Sequence, residues 1–242
     1  MSLLLRLSNL KRSPRMAGIR KYTNLLYYDP GFVNIDTKNF DVIEVDGCRF
    51  KVTDQVNAIQ RVNGNDWFDR VKRTDVVVDI GANIGAMTIP FAKAAKKVYA
   101  VEPLFYDDLG DNIELNGLHN VDIIPMGVGK LGRQTIEFSS KSAVVSIVSF
   151  AYLRELVKEP IDFLKMDGEG CEWDIRPEEL KGIRELRIEF HIQRDNVHEC
   201  RQKYDEYMSW MKTEGYEVKA TDEDAGPNPY FIGHPEVRAS MR

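Results

Sequence analysis

Residues 76–88 of this 242-residue chain leave few options for its fold. Val76, Val77 and Val78 are consecutive and β-branched, the pattern of a parallel strand covered on both faces. Asp79 and Ile80 follow, then the turn Gly81, Ala82, Asn83, Ile84, Gly85. The two glycines let the backbone turn sharply and approach a ligand with no Cβ in the way. A helix is predicted from about residue 84, with its first N–H groups unpaired and open to that ligand. A second apolar run, Val98 to Val101, ends in Glu102 and Pro103. A carboxylate at that strand end accepts hydrogen bonds from a ribose diol. Strand, glycine turn, helix, strand and terminal acid therefore build a pocket for a nucleoside-bearing cofactor. An ordinary strand-to-helix turn would explain Gly81 and Gly85 but not Asp79 together with Glu102.

Two cofactors compete for that pocket. A dinucleotide site uses G-x-G-x-x-G and holds pyrophosphate on the helix N-terminus. Here Asn83 replaces the middle glycine and Asp79 stands just ahead of the loop. An acid there repels pyrophosphate and suits the ammonium of S-adenosylmethionine, directly or through water. The preferred reading is S-adenosylmethionine. Asp79 and the backbone of Gly81, Ala82, Asn83 and Gly85 hold its methionine part, Glu102 and Pro103 lie at the ribose, and Leu104 and Met126 flank the adenine.

The rest of the chain fits one α/β domain with a modest extension. Lys and Arg number 33 against 38 Asp and Glu, a net charge of −5, so no global basic field argues for nucleic acid. Cys48, Cys171 and Cys200 are scattered, with no C-x-x-C pair to suggest a disulfide framework or zinc knuckle. No apolar run approaches a membrane span, and the chain reads as cytoplasmic. Residues 1–21 carry Arg6, Lys11, Arg12, Arg15, Arg20 and Lys21 with no acid. They read as a frayed basic tail, or as the product of an upstream start codon with Met16 the true start, in preference to a membrane- or RNA-touching arm. Residues 22–75 read as an N-terminal extension with a hairpin over 40–53 around Asp46-Gly47 and a helix over 56–73. Residues 76–242 read as the cofactor domain. Strands are predicted at 76–80, 97–102, 121–126, 161–166, 185–191, 215–221 and 229–233. Helices are predicted at about 84–95, 106–117, 150–158, 176–181 and 196–213. That alternation implies a doubly wound, mainly parallel sheet.

Chemistry beyond the cofactor gathers at two further strand ends. The apolar run from Ile161 ends in Asp167, followed by Gly168, Glu169, Gly170, Cys171, Glu172 and Asp174. Ligands of open α/β sheets bind outside the carboxyl ends of the strands, so Asp167 and Glu169 should face the pocket. They can orient a methyl donor or accept a proton from a nucleophile. Hard-oxygen ligation of Mg²⁺ or Ca²⁺ is the alternative, and the preferred assignment has no metal. Glu172 and Asp174 read equally as a solvated loop. Glu189 and His191 share one face of the next strand, and His191 is a candidate general base for a substrate hydroxyl or else a structural histidine. His119, His198 and His234 read as structural.

Taken together, these segments resemble the FkbM family of S-adenosylmethionine-dependent methyltransferases. The resemblance rests on Asp79 to Gly85 with Thr88, on Glu102-Pro103, on Asn112 and Asn116, and on the run Leu164 to Glu172. It implies a Rossmann-like class I methyltransferase sheet of seven strands, the last antiparallel, and methyl transfer to a hydroxyl of a sugar or natural product. Asp167, Glu169 and His191 would then address a small-molecule or glycan acceptor. Gly168 departs from the apolar residue usual in the family, which should loosen the loop, and the Gly127 to Gly132 stretch departs from its usual alanine-containing segment. A nucleic-acid methyltransferase on the same fold is the first rival. Amino-directed members place Asn/Asp-Pro-Pro-Tyr where this chain has Asp167-Gly-Glu-Gly. A non-catalytic S-adenosylmethionine-binding protein is the second.

Overall fold

The computed structural model describes residues 25–27, 41–55, 58–59, 68, 70–139, 141–221 and 231–241. The basic segment 1–21 and most of the helix predicted over 56–73 lie outside the described residues. Strands β1 (Leu25–Tyr27), β2 (Val42–Val45) and β3 (Cys48–Lys51) form a small sheet. The β2–β3 hairpin closes on Asp46 and Gly47, both at positive φ, as that dipeptide requires. β1 runs parallel to β2.

The main sheet begins with β4 (Val76–Ile80), buried at every position. Helix α1 (Thr88–Ala94) leads to β5 (Lys97–Val101), and α2 (Tyr106–Leu115) leads to β6 (Val121–Ile124). α1 starts four residues later than predicted. Asn83 at φ +49° and Gly85 at φ +93° break the helical geometry ahead of the Met87 N-cap. Residues 127–148 fold into β7 (Gly127–Val128) and an antiparallel hairpin of β8 (Gly132–Phe138) and β9 (Lys141–Val148), which the sequence reading missed. Helix α3 (Phe150–Val157) precedes β10 (Phe163–Met166). The helix predicted over 176–181 is a short 3-10 turn, Pro177–Leu180. β11 (Glu185–Glu189), β12 (Ile192–Gln193), α4 (Val197–Thr213), β13 (Tyr216–Thr221), β14 (Phe231–Gly233) and β15 (Glu236–Met241) complete the described chain.

Seven strands lie in the order β13-β15-β11-β10-β4-β5-β6. β15 alone runs against the other six strands, antiparallel to both β11 and β13, so the sheet is mixed, with its last strand reversed. That strand is 236–241, not the predicted 229–233. Val237 and Ala239 are fully buried between β11 and β13, whereas Phe231–Gly233 stay half-buried and pair with β12. The Asp-rich ends of β4 and β10 sit side by side at the middle of the sheet because Asp79 pairs in register with Lys165.

Two asparagines on α2 hold the N-terminal hairpin to the domain. Asn116 Oδ1 accepts from the Arg49 N–H at 2.9 Å, and its Nδ2 donates to the Arg49 carbonyl at 2.7 Å. One turn earlier, Asn112 Oδ1 accepts from the Lys51 N–H at 2.8 Å while its Nδ2 donates to the Ile84 carbonyl at 2.9 Å. The i, i+4 spacing places both amides on one helix face. Asn112→Leu would strand the part-buried Lys51 N–H and the buried Ile84 carbonyl, at about 1 to 3 kcal/mol. Urea denaturation should show that loss, and an unchanged midpoint would argue against the docking role.

Candidate active site

The carboxyl ends of β4, β5 and β10 converge on a cavity of about 330 Å³, within the size range of small-molecule sites. Gly81, the first residue past β4, has φ +73°, and its N–H donates to the Val101 carbonyl at 3.0 Å. A Cβ on Gly81 would lie 1.8 Å from the Asp167 carbonyl oxygen. The two loops therefore touch through this glycine. Ala82 and Asn83 border the cavity beside it. Gly85 does not: it is buried, and a Cβ there would meet Leu109 Cδ1 at 2.8 Å. Its role is packing of the turn against α2.

Asn83 holds a left-handed conformation that is costly for a residue with a side chain. Three hydrogen bonds keep it there. Its N–H donates to Glu102 Oε2 at 2.7 Å, its Nδ2 to Gln55 Oε1 at 3.2 Å, and its Oδ1 accepts from the Ile84 N–H at 2.7 Å. Glu102 borders the cavity although only 5% exposed. Its Oε1 accepts from the N–H groups of Leu104 and Phe105 at 2.7 and 3.0 Å. With Asn83, three of its roughly four lone-pair positions are filled by backbone. These bonds fix the carboxylate plane and leave it one acceptor position, not the two expected for a ribose diol. Pro103 and Leu104 border the cavity as expected. Met126 does not, and packs instead against the main core. The apolar wall comes from Phe105, Ile136 and Phe138. Phe138 meets the Phe105 ring edge to face at 6.2 Å, and Lys141 Nζ lies 4.7 Å from the Phe105 centroid.

Asp79 and Lys165 form the floor. Asp79 is fully buried and lies outside the cavity lining. Thr88 Oγ1 donates to its Oδ2 at 2.6 Å. Lys165 Nζ lies 3.1 Å from Oδ1, but out of line, so that oxygen accepts no hydrogen bond. Lys165 Nζ donates to the carbonyls of Ile80 and Gly81 at 3.1 and 2.7 Å and lies 3.7 Å from Asp167 Oδ2. It reaches the cavity where Asp79 does not. The sequence reading gave Lys165 no role, although a lysine within the apolar strand Phe163–Met166 signals a buried partner. Asp79 meets the cavity only through this lysine and the turn.

Asp167 and Glu169 border the cavity, while His191 lies behind them, 1% exposed. His191 Nε2 is 3.7 Å from Asp167 Oδ1 and 3.6 Å from Glu169 Oε2. Its Nδ1 lies 3.0 Å from Glu172 Oε1, which also accepts the His191 backbone N–H at 2.6 Å. Burial pulls the imidazole pKa down, but the hydrogen bond and charge of Glu172, with Asp167 and Glu169, outweigh it and hold it at about 9. The ring is an imidazolium near neutral pH, a state that does not suit the base role expected for it. Glu169 has its pKa raised, first by burial and then by neighbouring acids, with His191 acting in the opposite direction. It also sits at φ +56°, a strained conformation that turns its carboxylate toward the cavity. Glu172 is fully buried and orients His191; Asp174 Oδ2 accepts the Lys130 N–H at 3.1 Å. Gly168, expected to loosen the loop, is matched to Cys171: a Cβ at 168 would lie 2.3 Å from its Sγ.

The sequence profile of the FkbM methyltransferase domain matches residues 79–218. The chain belongs to this family. The matched segment is a methyltransferase domain of that family. The cavity combines a buried acid, an apolar wall and a close-approach turn at Gly81, features that suit a nucleoside-bearing cofactor such as S-adenosylmethionine. Among curated relatives, an uncharacterized protein of Methanocaldococcus jannaschii is 40% identical over 91 residues, 37% of this chain and 30% of that protein. The tRNA(Phe) (4-demethylwyosine(37)-C(7)) aminocarboxypropyltransferase of the same organism is 31% identical over 169 residues, 57% of this chain and 66% of that enzyme. The matches thus span less than a third of the first relative and about two thirds of the other. A crystal structure of a candidate transferase from Pyrococcus horikoshii superposes with a TM-score of 0.50 at 18% identity, covering 94% of this chain and 81% of that one. It shares the fold. Among the described residues no helix is long and apolar enough to cross a membrane.

Proposed function

We propose that the methyltransferase acts on a hydroxyl oxygen of a small sugar-like or natural-product acceptor, with residues 76–242 as the catalytic unit and 22–75 as its extension. The observation that carries this reading is the convergence of Asp167 and Glu169 on the cofactor cavity. Bound there, S-adenosylmethionine supplies an electrophilic methyl group. Gly81, Ala82 and Asn83 line the path of its amino-acid part with backbone, and Lys165 offers a cation to a carboxylate. Glu102 holds a ribose hydroxyl. Leu104, Phe105 and Phe138 form the slot for the base. Glu169, with its raised pKa, takes the acceptor proton, and His191, which lies between Glu169 and Asp167, holds it in place. Positioning provides most of the rate.

The acids around the acceptor side, Asp167, Glu169, Glu172 and Glu189, favour a neutral hydroxylated molecule over a polyphosphate. An RNA acceptor is the second reading, favoured by the relative that acts on tRNA(Phe). Labelled methyl transfer decides between them. Hydroxylated small molecules and total tRNA and rRNA would be offered in parallel, followed by mass spectrometry of the product. Label confined to RNA would overturn the small-acceptor reading.

Two variants test the roles. Glu102→Ala should weaken S-adenosylmethionine binding by at least about tenfold, since a hydrogen bond to a charged group contributes about 1.5 to 3 kcal/mol. Unchanged affinity by calorimetry would sink that assignment. Glu169→Gln should lower turnover by about 10²-fold or more while cofactor affinity stays near wild type. Full activity would remove Glu169 as the base.

A further inference from the structure

Behind the acceptor side of the cavity lies a cluster of which the methyl-transfer reading uses His191 alone. Glu189 ends β11, His191 follows it, and His234 sits between β14 and β15. One ligand atom from each falls within 4.8 Å of the other two. Glu189 Oε1 lies 3.9 Å from His191 Nε2 and 3.6 Å from His234 Nδ1, and the two imidazole rings are 4.9 Å apart at their centroids. A tetrahedral metal with bonds of about 2.1 Å separates its ligand atoms by about 3.4 Å. Two of the three separations are therefore a few tenths of an ångström wider than in a closed site, and the third, between the two imidazoles, lies within 4.8 Å.

Three further observations favour a ligand set. His191 Nδ1 is held by the buried Glu172 carboxylate at 3.0 Å, which presents Nε2 to the cluster. Carboxylates orient metal-binding histidines in this way. The Phe231 ring lies 5.1 Å from His191 and 5.2 Å from His234 and forms an apolar wall beside both. On its other side, His191 Nε2 faces Asp167 and Glu169, which border the cofactor cavity. A metal held by the first three residues would keep its remaining positions on the side where an acceptor enters.

We propose that Glu189, His191 and His234 bind one divalent first-row transition cation, which displaces to solvent the proton that His191 Nε2 carries in the metal-free chain. Two imidazole nitrogens and a carboxylate suit Zn²⁺, Co²⁺, Mn²⁺ or Fe²⁺. Mg²⁺ instead demands near-octahedral oxygen ligation. The coordinated ion would polarise an acceptor hydroxyl and lower its pKa, a consequence that rests on the hydroxyl reading above. Binding of the ion does not.

The test uses the untagged full chain, stripped with chelator and dialysed separately against Zn²⁺, Co²⁺ and Mg²⁺. Metal content should return one equivalent of Zn²⁺ or Co²⁺ and no retained Mg²⁺. Bound Co²⁺ should develop visible absorption. His234→Ala and Glu189→Gln should each weaken Co²⁺ binding by more than about tenfold, with wild-type circular dichroism confirming the fold. His198→Ala, an exposed histidine on α4, should bind as wild type. A stripped chain that takes up no stoichiometric Zn²⁺ or Co²⁺ would overturn the proposal, as would folded His234→Ala and Glu189→Gln proteins that bind as tightly as wild type. Metal uptake is read without any acceptor, so its failure is distinct from failure of the hydroxyl reading.

Discussion

Lys165→Met should lower stability by about 3 to 5 kcal/mol, the usual cost of removing one partner from a buried ion pair. For a chain of this size that is a fall in Tm on the order of 10 °C. The lysine is 2% exposed and is the nearest cation to Asp79, itself fully buried with one oxygen that accepts no hydrogen bond. Methionine fills a similar volume, so the loss reports charge and hydrogen bonds, not a cavity. The variant also frees the carbonyls of Ile80 and Gly81, which the ammonium holds at the mouth of the cofactor turn. The double variant Asp79→Asn, Lys165→Met removes both charges and should recover a large part of the loss. A double variant no more stable than Lys165→Met would mean that the pair does not couple. Differential scanning calorimetry of the three proteins gives the comparison.

Gly81→Ala should reduce S-adenosylmethionine affinity by roughly 100-fold, about 2.7 kcal/mol. The added Cβ would stand 1.8 Å from the Asp167 carbonyl oxygen, a backbone atom that cannot rotate away. The β10 loop must move, and Asp167 and Glu169 move with it. A φ of +73° adds strain for any L side chain. Gly85→Ala is the control. Its Cβ would meet the end of the Leu109 side chain at 2.8 Å, which can shift. That variant should lose stability yet bind the cofactor within a few-fold of wild type. Equal losses of affinity in the two would show that the turn responds as a unit and that the Asp167 contact has no special weight.

The contrast between these glycines shows how far the chain could be read from its residues. The order of strands was legible because Val76–Ile80 and Phe163–Met166 are buried on both faces and read as largely apolar runs, even with Asp79 and Lys165 inside them, while Glu185–Glu189 alternates charged and apolar residues although it is buried throughout. Glu102, Asn83, Asp167 and Glu169 were legible because strand ends face the ligand side of such sheets. Met126 was misplaced because its half-buried position depends on where β7 turns, which no periodicity announces. The cavity wall from β8 was missed because Gly132–Phe138 is exposed along most of its length and shows no buried face. His234 was read as a loop residue because its nearness to Glu189 and His191 arises only when β14 and β15 return to the sheet. His191 was placed correctly at its strand end, but its charge depends on Glu172, whose approach is set by packing of the 171–174 turn under Tyr207.

The asparagine pair on α2 has a consequence for solubility. β3 is the outermost strand of its small sheet, and an outermost strand offers unpaired N–H and carbonyl groups to any passing chain. Asn116 occupies both groups of Arg49, and Asn112 occupies the N–H of Lys51. The two side chains thus imitate a neighbouring strand and close the ladder without one. As long as α2 stays docked, this flank of the protein cannot be extended by another copy, so resistance to fibrous self-association depends on a helix and not on the strand it protects.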